Sequence, residues 1–150
     1  MGSNNCMTEV VMNELYAILM SWAVTLSGYD VPLHQVEVVT VPHHYLVKAA
    51  CNGRECKVLG WFPPGRRIFL DSRLNAEDSL YARSILVHEM VHYLQYASGN
   101  YGKPYSCEAI IEMVREAYRI QSEFLVRHGV YQPVGLSMHA VSCETLAHHE

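Results

Sequence analysis

Basic residues are scarce in this chain, long apolar runs are missing, and its cysteines follow no paired C-x-x-C spacing. With 11 Lys and Arg against 15 Asp and Glu, the net charge is -4. No cationic footprint is left to neutralise phosphates or anionic headgroups, so neither nucleic acid nor a membrane surface is expected as a partner. The most apolar early stretch, LYAILMSWAVTL, is too short to span a bilayer and has no basic region before it. It reads as neither a transmembrane helix nor a standard signal peptide. The opening MGS resembles a cloning remnant, which leaves the compartment open with the cytoplasm as default. Five cysteines (Cys6, Cys51, Cys56, Cys107, Cys143) are an odd count and fit no zinc framework. Cys51 and Cys56 flank the turn-like NGRE and could pair across a hairpin in an oxidising compartment, or stay as two thiols.

What is present is a chain of 150 residues, half of them hydrophobic. That is enough for one real core and too little for two independent domains of usual size. A single domain over 1–150 is therefore expected, with loose ends at about 1–7 and 144–150. Apolar residues at helical spacing from Thr8 to Ser27 predict a first helix, stopped by Gly28. The β-branched HQVEVVTV (34–41) predicts a strand, and Leu46 to Ala50 a second, turning through CNGREC into KVLGWF. After the turn-forming PPG comes another β stretch, RRIFLD. Asn75 as N-cap and Gly99 as stop bracket a long helix, and Ser106 or Cys107 to His128 a second. So short a loop between two helices predicts that they lie antiparallel and adjacent.

The chemistry concentrates in SILVHEMVHYLQ (84–95). On a helix, His88 and His92 sit one turn apart on one face, where both imidazoles can reach one metal ion. Glu89 lies about 100° round the helix, bordering that ion without having to ligate it. Such a carboxylate can take a proton from an attacking water and return it to a leaving amine. Composition alone produces H-E-x-x-H in roughly 4% of shuffled chains, so the motif needs a structural context. A packed, hydrogen-bonded histidine pair is the plain alternative.

The following helix carries Glu108, Glu112 and Glu116, four residues apart. Ile110, Met113, Val114, Ala117, Ile120, Gln121 and Phe124 define an apolar face centred near Ala117. Glu116 lies about 100° from that centre, Glu112 about 145°, and Glu108 nearly opposite. Most such acidic stripes are solvated faces. Reflecting the helix pair about the loop near Tyr101 brings both Glu112 and Glu116 to the level of the histidines. Glu116 is the expected third ligand, with Glu112 as partner to a histidine or as the alternative ligand. His43, His44, His148 and His149 are adjacent pairs of the kind that is more often solvated than metal-binding. Tyr96, Tyr101 and Tyr105 could line a cleft wall or cover the core edge.

HEMVHYLQ followed by REAYRIQSEFL resembles small gluzincin-type zinc metallopeptidases, and more closely a group of short bacterial and phage-type proteins with the same paired motifs. The likeness spans about Ile68 to Leu125. It implies an α+β, zincin-like fold: an N-terminal helix, a small antiparallel or mixed sheet, an active-site helix and an adjacent antiparallel helix bearing the third ligand. It further implies one Zn2+ on His88, His92 and Glu116, with Glu89 as general base toward zinc-bound water. A peptide or protein is the implied substrate, laid along RRIFLD (Ile68, Phe69, Leu70) as the edge strand of the cleft. Two features depart from larger gluzincins. These often place an acid four residues after the ligand glutamate, a position held by Ile120 after Glu116 but by Glu116 after Glu112. They also carry a downstream oxyanion-stabilising His or Tyr, for which Tyr118, His128, Tyr131 and His139 are the candidates. The expected activity is zinc-dependent peptide hydrolysis, the alternative a non-catalytic metal-binding module with a regulatory or structural role. Oligomeric state is not legible.

Overall fold

In the computed structural model, the backbone is described for residues 2–144 and the side chains for residues 12–144 apart from 139. The architecture is α+β. Helix α1 (Gly2–Ser27) leads through a loop to strand β1 (Glu37–Val41), helix α2 (His43–Ala50), and strands β2 (Gly60–Trp61) and β3 (Arg67–Asp71). Helices α3 (Leu80–Ser98) and α4 (Cys107–Arg127) follow, then a 3-10 turn at Leu136–Ala140. The three strands form a mixed sheet in the order β1-β3-β2, with β1 parallel and β2 antiparallel to β3.

α3 is the centre of the molecule because its sequence is apolar nearly all round, so each side needs a neighbour. It packs on α4, α1, β2 and β3. Ile85, Leu86, Val87, Met90, Val91 and Leu94 join Ile68 and Leu70 of β3, Leu19 and Ala23 of α1, and Ala117, Ile120 and Phe124 of α4 in one core. Trp22 of α1 meets Phe124 edge-on at 5.7 Å, closing the end of that core. α4 turns most of the expected face inward: Ala117, Ile120 and Phe124 are fully buried and Met113 and Gln121 nearly so, while Ile110 of that face is exposed, as are Glu108 and Glu112.

Several sequence expectations are corrected. Leu46 to Ala50 is helical rather than a strand. Pro42 stands at the helix start, where its fixed φ of -63° suits the entry and its missing N–H costs nothing. β1 begins at Glu37 rather than His34, and KVLGWF contributes only Gly60 and Trp61 to the sheet. α1 starts at Gly2 rather than Thr8, while residues 145–150, including the pair His148 and His149, lie outside the described residues. α3 is capped by Ser79, whose hydroxyl accepts from the Ala82 N–H at 3.1 Å. Asn75 caps a preceding turn instead, accepting from the Glu77 N–H at 3.0 Å.

The correction that matters for function concerns RRIFLD. β3 pairs with β1 along Arg67–Asp71 and with β2 at Phe69 and Leu70, so Ile68, Phe69 and Leu70 occupy the central strand. A central strand has no unpaired edge to offer a peptide. The edge on the α3 side of the sheet is Gly60 and Trp61 of β2.

Candidate metal centre

His88 and His92 project from one face of α3, with ring centroids 4.9 Å apart. Each is oriented by a glutamine amide. His88 Nδ1 lies 3.0 Å from Gln121 Oε1 of α4, and His92 Nδ1 lies 2.8 Å from Gln95 Oε1 one turn along α3. The surrounding hydrogen bonds decide the tautomers. Gln121 Nε2 donates to Ser84 Oγ at 3.1 Å, and that hydroxyl spends its own hydrogen on the Tyr81 carbonyl at 2.7 Å. Gln95 Nε2 donates to the Met113 carbonyl at 2.9 Å and to Glu116 Oε1 at 3.1 Å, both of them acceptors. Both amide oxygens therefore face the rings, and an amide oxygen can only accept. Each Nδ1 must carry the hydrogen, leaving each Nε2 as an unprotonated lone pair.

Burial reinforces this state. Desolvation, joined by the neighbouring His92, pushes the His88 imidazole down to about 3, so it stays neutral at ordinary pH. His92 is shifted down as well, by desolvation opposed by the Gln95 bond and the nearby Glu116 charge. Glu89 is 7% exposed, makes no hydrogen bond among the described residues, and is driven up to about 8 by desolvation alone.

β2 is seated directly on this carboxyl. A Cβ on Gly60 would come 3.0 Å from Ile85 Cγ2 and 3.1 Å from Glu89 Cγ. Glycine at this position lets the sheet edge approach the helix turn that carries Glu89. A cleft of about 570 Å³ opens there, reached by Glu89 and His92 and walled by Trp61, Phe62 and Tyr96 on one side and by Ile110, Met113 and Val114 on the other.

The structure brings together His88, His92 and Glu89 as the motif predicts, and it separates the candidate acids. Glu116 is half-buried beside His92. Its Oε1 accepts from Tyr29 Oη at 2.6 Å and from Gln95, while Oε2 has no hydrogen bond among the described residues. Glu112 is exposed and bonds to neither histidine, whose Nδ1 partners are the two glutamines. Among the described residues, no three of His, Cys, Asp and Glu already gather as a metal-holding group. The two Nε2 donors fit a zinc-type ion by their chemistry, being neutral imidazoles with the opposite nitrogen hydrogen-bonded. Glu116 lies close enough for its charge to act on the His92 imidazole, and its Oε2 carries no hydrogen bond among the described residues.

Gln95 and Gln121 are the side chains touching the two imidazoles that sequence reasoning left without a role. Their signal was present: a polar residue three positions after His92 on the same helix face, and another on the apolar face of α4. Of the oxyanion candidates, Tyr118 packs edge-on against His88 at 4.5 Å, and a Cβ at Gly135 (φ +70°) would fall inside its ring. His128 packs instead between Trp22 and Phe124 and bonds the Phe124 carbonyl, and Tyr131 is exposed. The side chain of His139 lies outside the described residues. Tyr96 and Tyr105 line the cleft, whereas Tyr101 approaches Tyr29. His43 is engaged with Asp71 at 2.9 Å and Glu55 at 3.0 Å, and His44 is exposed.

Comparison with known proteins finds no matching family model, no matching curated protein and no matching solved structure.

Proposed function

We propose that the chain is a zinc-dependent peptidase of zincin-like architecture, with His88, His92 and Glu116 holding one ion and Glu89 serving as general base. The observation that carries this reading is the pair of Nδ1 contacts to glutamine oxygens, each from a glutamine whose amide nitrogen donates elsewhere, which places the hydrogen on Nδ1. Two histidines that were merely packed would have no need for both Nε2 lone pairs to be kept free on the same helix face. Bound there, zinc would supply a Lewis acid that polarises a peptide carbonyl and makes a water more acidic.

The chain's own groups supply the rest. Glu89 accepts a proton from water as the water attacks the carbonyl carbon, and returns it to the departing nitrogen when the C–N bond breaks. Burial alone drives this carboxyl up to about 8, and the positive charge of a bound ion would offset that, leaving a carboxylate without a hydrogen-bond partner free for both transfers. Tyr29 and Gln95 hold one oxygen of Glu116 and leave the other to ligate. The unpaired edge of β2 beside Glu89 offers backbone groups to an extended peptide.

Glu89→Gln tests the mechanism. The variant is expected to retain the metal content of the parent and to cleave an unfolded protein or a peptide library roughly 100-fold more slowly or worse. Cleavage at the parental rate would contradict the role given to Glu89.

A further inference from the structure

The cleft beside Glu89 is as informative for what its walls lack as for what they carry. Its volume of about 570 Å³ is within the range of roughly 300–1,000 Å³ usual for ligand clefts. Among the described residues, Glu89 is the one carboxylate on its lining, and no Lys or Arg lines it. Lys103 has its ammonium 4.5 Å from the centroid of the Tyr96 ring and does not line the cleft. An acidic side chain entering here would give up hydration with no Lys or Arg on the lining to meet it, and a basic one would find only Glu89, the group the proposed chemistry uses. A bulky apolar one would cover apolar surface on both walls and leave no polar group unmet.

Ile110 points to the same conclusion. It stands on the first turn of α4 and is 46% exposed, although the adjoining Met113 is buried in the core. An isoleucine left half in solvent beside Val114 forms a lip of the cleft that Trp61, Glu89 and His92 also line. Tyr45, Phe69 and Trp61 continue the apolar surface away from the lip as a row of tilted rings, spaced 5.5 and 5.7 Å.

We propose that this cleft receives a bulky apolar side chain, aromatic or branched aliphatic, of an extended peptide, and that Trp61 and Ile110 select it. The inference takes the peptidase reading as its premise, and its test separates the two. The chain has two tryptophans, so Trp22→Phe leaves Trp61 as the sole indole in a Glu89→Gln background. Capped peptides differing at one central residue (Phe, Leu, Ala, Lys or Glu) are titrated against Trp61 fluorescence. Peptides with Phe and Leu are expected to bind roughly tenfold or more tightly than those with Ala, Lys or Glu. Ile110→Asp is expected to erase that preference and Ile110→Leu to keep it, with unfolding curves showing that both variants fold.

Equal binding of all five peptides, or a preference untouched by Ile110→Asp in the folded variant, overturns the inference. Cleavage by the parent protein without apolar preference also overturns it while leaving the peptidase reading in place. Selective binding of the Phe and Leu peptides without any cleavage by the parent upholds the subsite and contradicts the peptidase.

Discussion

A histidine that ligates a metal almost always has the hydrogen on its opposite nitrogen held by a partner, which fixes the tautomer and the ring. In this chain that task falls to Gln121 for His88 and to Gln95 for His92. Gln121 is the cleaner test of the two, since it is 3% exposed and bridges Ser84 on α3 to the ring. Replacing it with Met keeps the volume and removes the acceptor. Zinc affinity, measured by competition with a chelating dye, is expected to fall by about 10- to 100-fold. Affinity equal to the parent's would mean that the amide does not set the imidazole. The spacing of His88, Glu89 and His92 was legible because four residues span one helical turn whatever surrounds it. The glutamines' roles were not, because they depend on how α4 registers against α3. That register also left Glu112 exposed and Glu116 half-buried, in the order that the helical wheel predicts.

At the scale of elements, long helices with a clear apolar face were readable, and short strands were not. β2 is only two residues long, and its place at the sheet edge is decided by Gly60 fitting over Glu89 rather than by any propensity. α2 was misread because its β-like Leu46 and Val47 are buried from a helix begun at Pro42. The end of β3 is tied to α2 by a knot of charge. Asp71, fully buried, is held by Arg73 at 2.7 Å and by His43 at 2.9 Å, and His43 also meets Glu55. The Arg73 guanidinium, with help from its N–H and from His43, outweighs burial and brings the Asp71 carboxyl from 3.8 to about 2. A carboxylate with a depressed folded value adds stability above its unfolded value and loses it as pH falls through the folded one. His43 is raised above 6.5, chiefly by the Glu55 bond, so its contribution is complete below that value and fades as pH rises through the folded one. Asp71→Asn is therefore expected to destabilise by about 2 kcal/mol in denaturant unfolding. The gap from the parent should be widest between roughly pH 4 and 6 and narrower on both sides. A gap independent of pH would contradict this account of the knot.

At the scale of the whole molecule, two disulfides frame the site. Cys51–Cys56 closes the turn after α2, and Cys107–Cys143 ties the start of α4 to the segment that presses Gly135 on Tyr118. Arg115 fastens the same segment through the carbonyls of Met138 and Val141. The second bridge was not legible, since five cysteines do not disclose their connectivity. It closes a loop with a sequence separation of 36, which corresponds to about 3–4 kcal/mol of chain-entropy stabilisation. Intact mass under non-reducing conditions is expected to show both bridges, and reductant to lower the unfolding midpoint. Free thiols at all five positions in the oxidised protein would contradict the pairing. Bridges of this kind persist in oxidising compartments. Helices α1 and α4, with β2 and β3, all pack on α3, the helix that carries both imidazoles, so the account stands or falls with the ion they are proposed to hold. The most direct measurement is elemental analysis of tag-free protein as purified, alongside His88→Ala and Glu89→Gln. The account predicts one zinc per chain in the parent and in Glu89→Gln, and loss of it in His88→Ala. No zinc in the parent, or zinc retained equally by a folded His88→Ala, would contradict it.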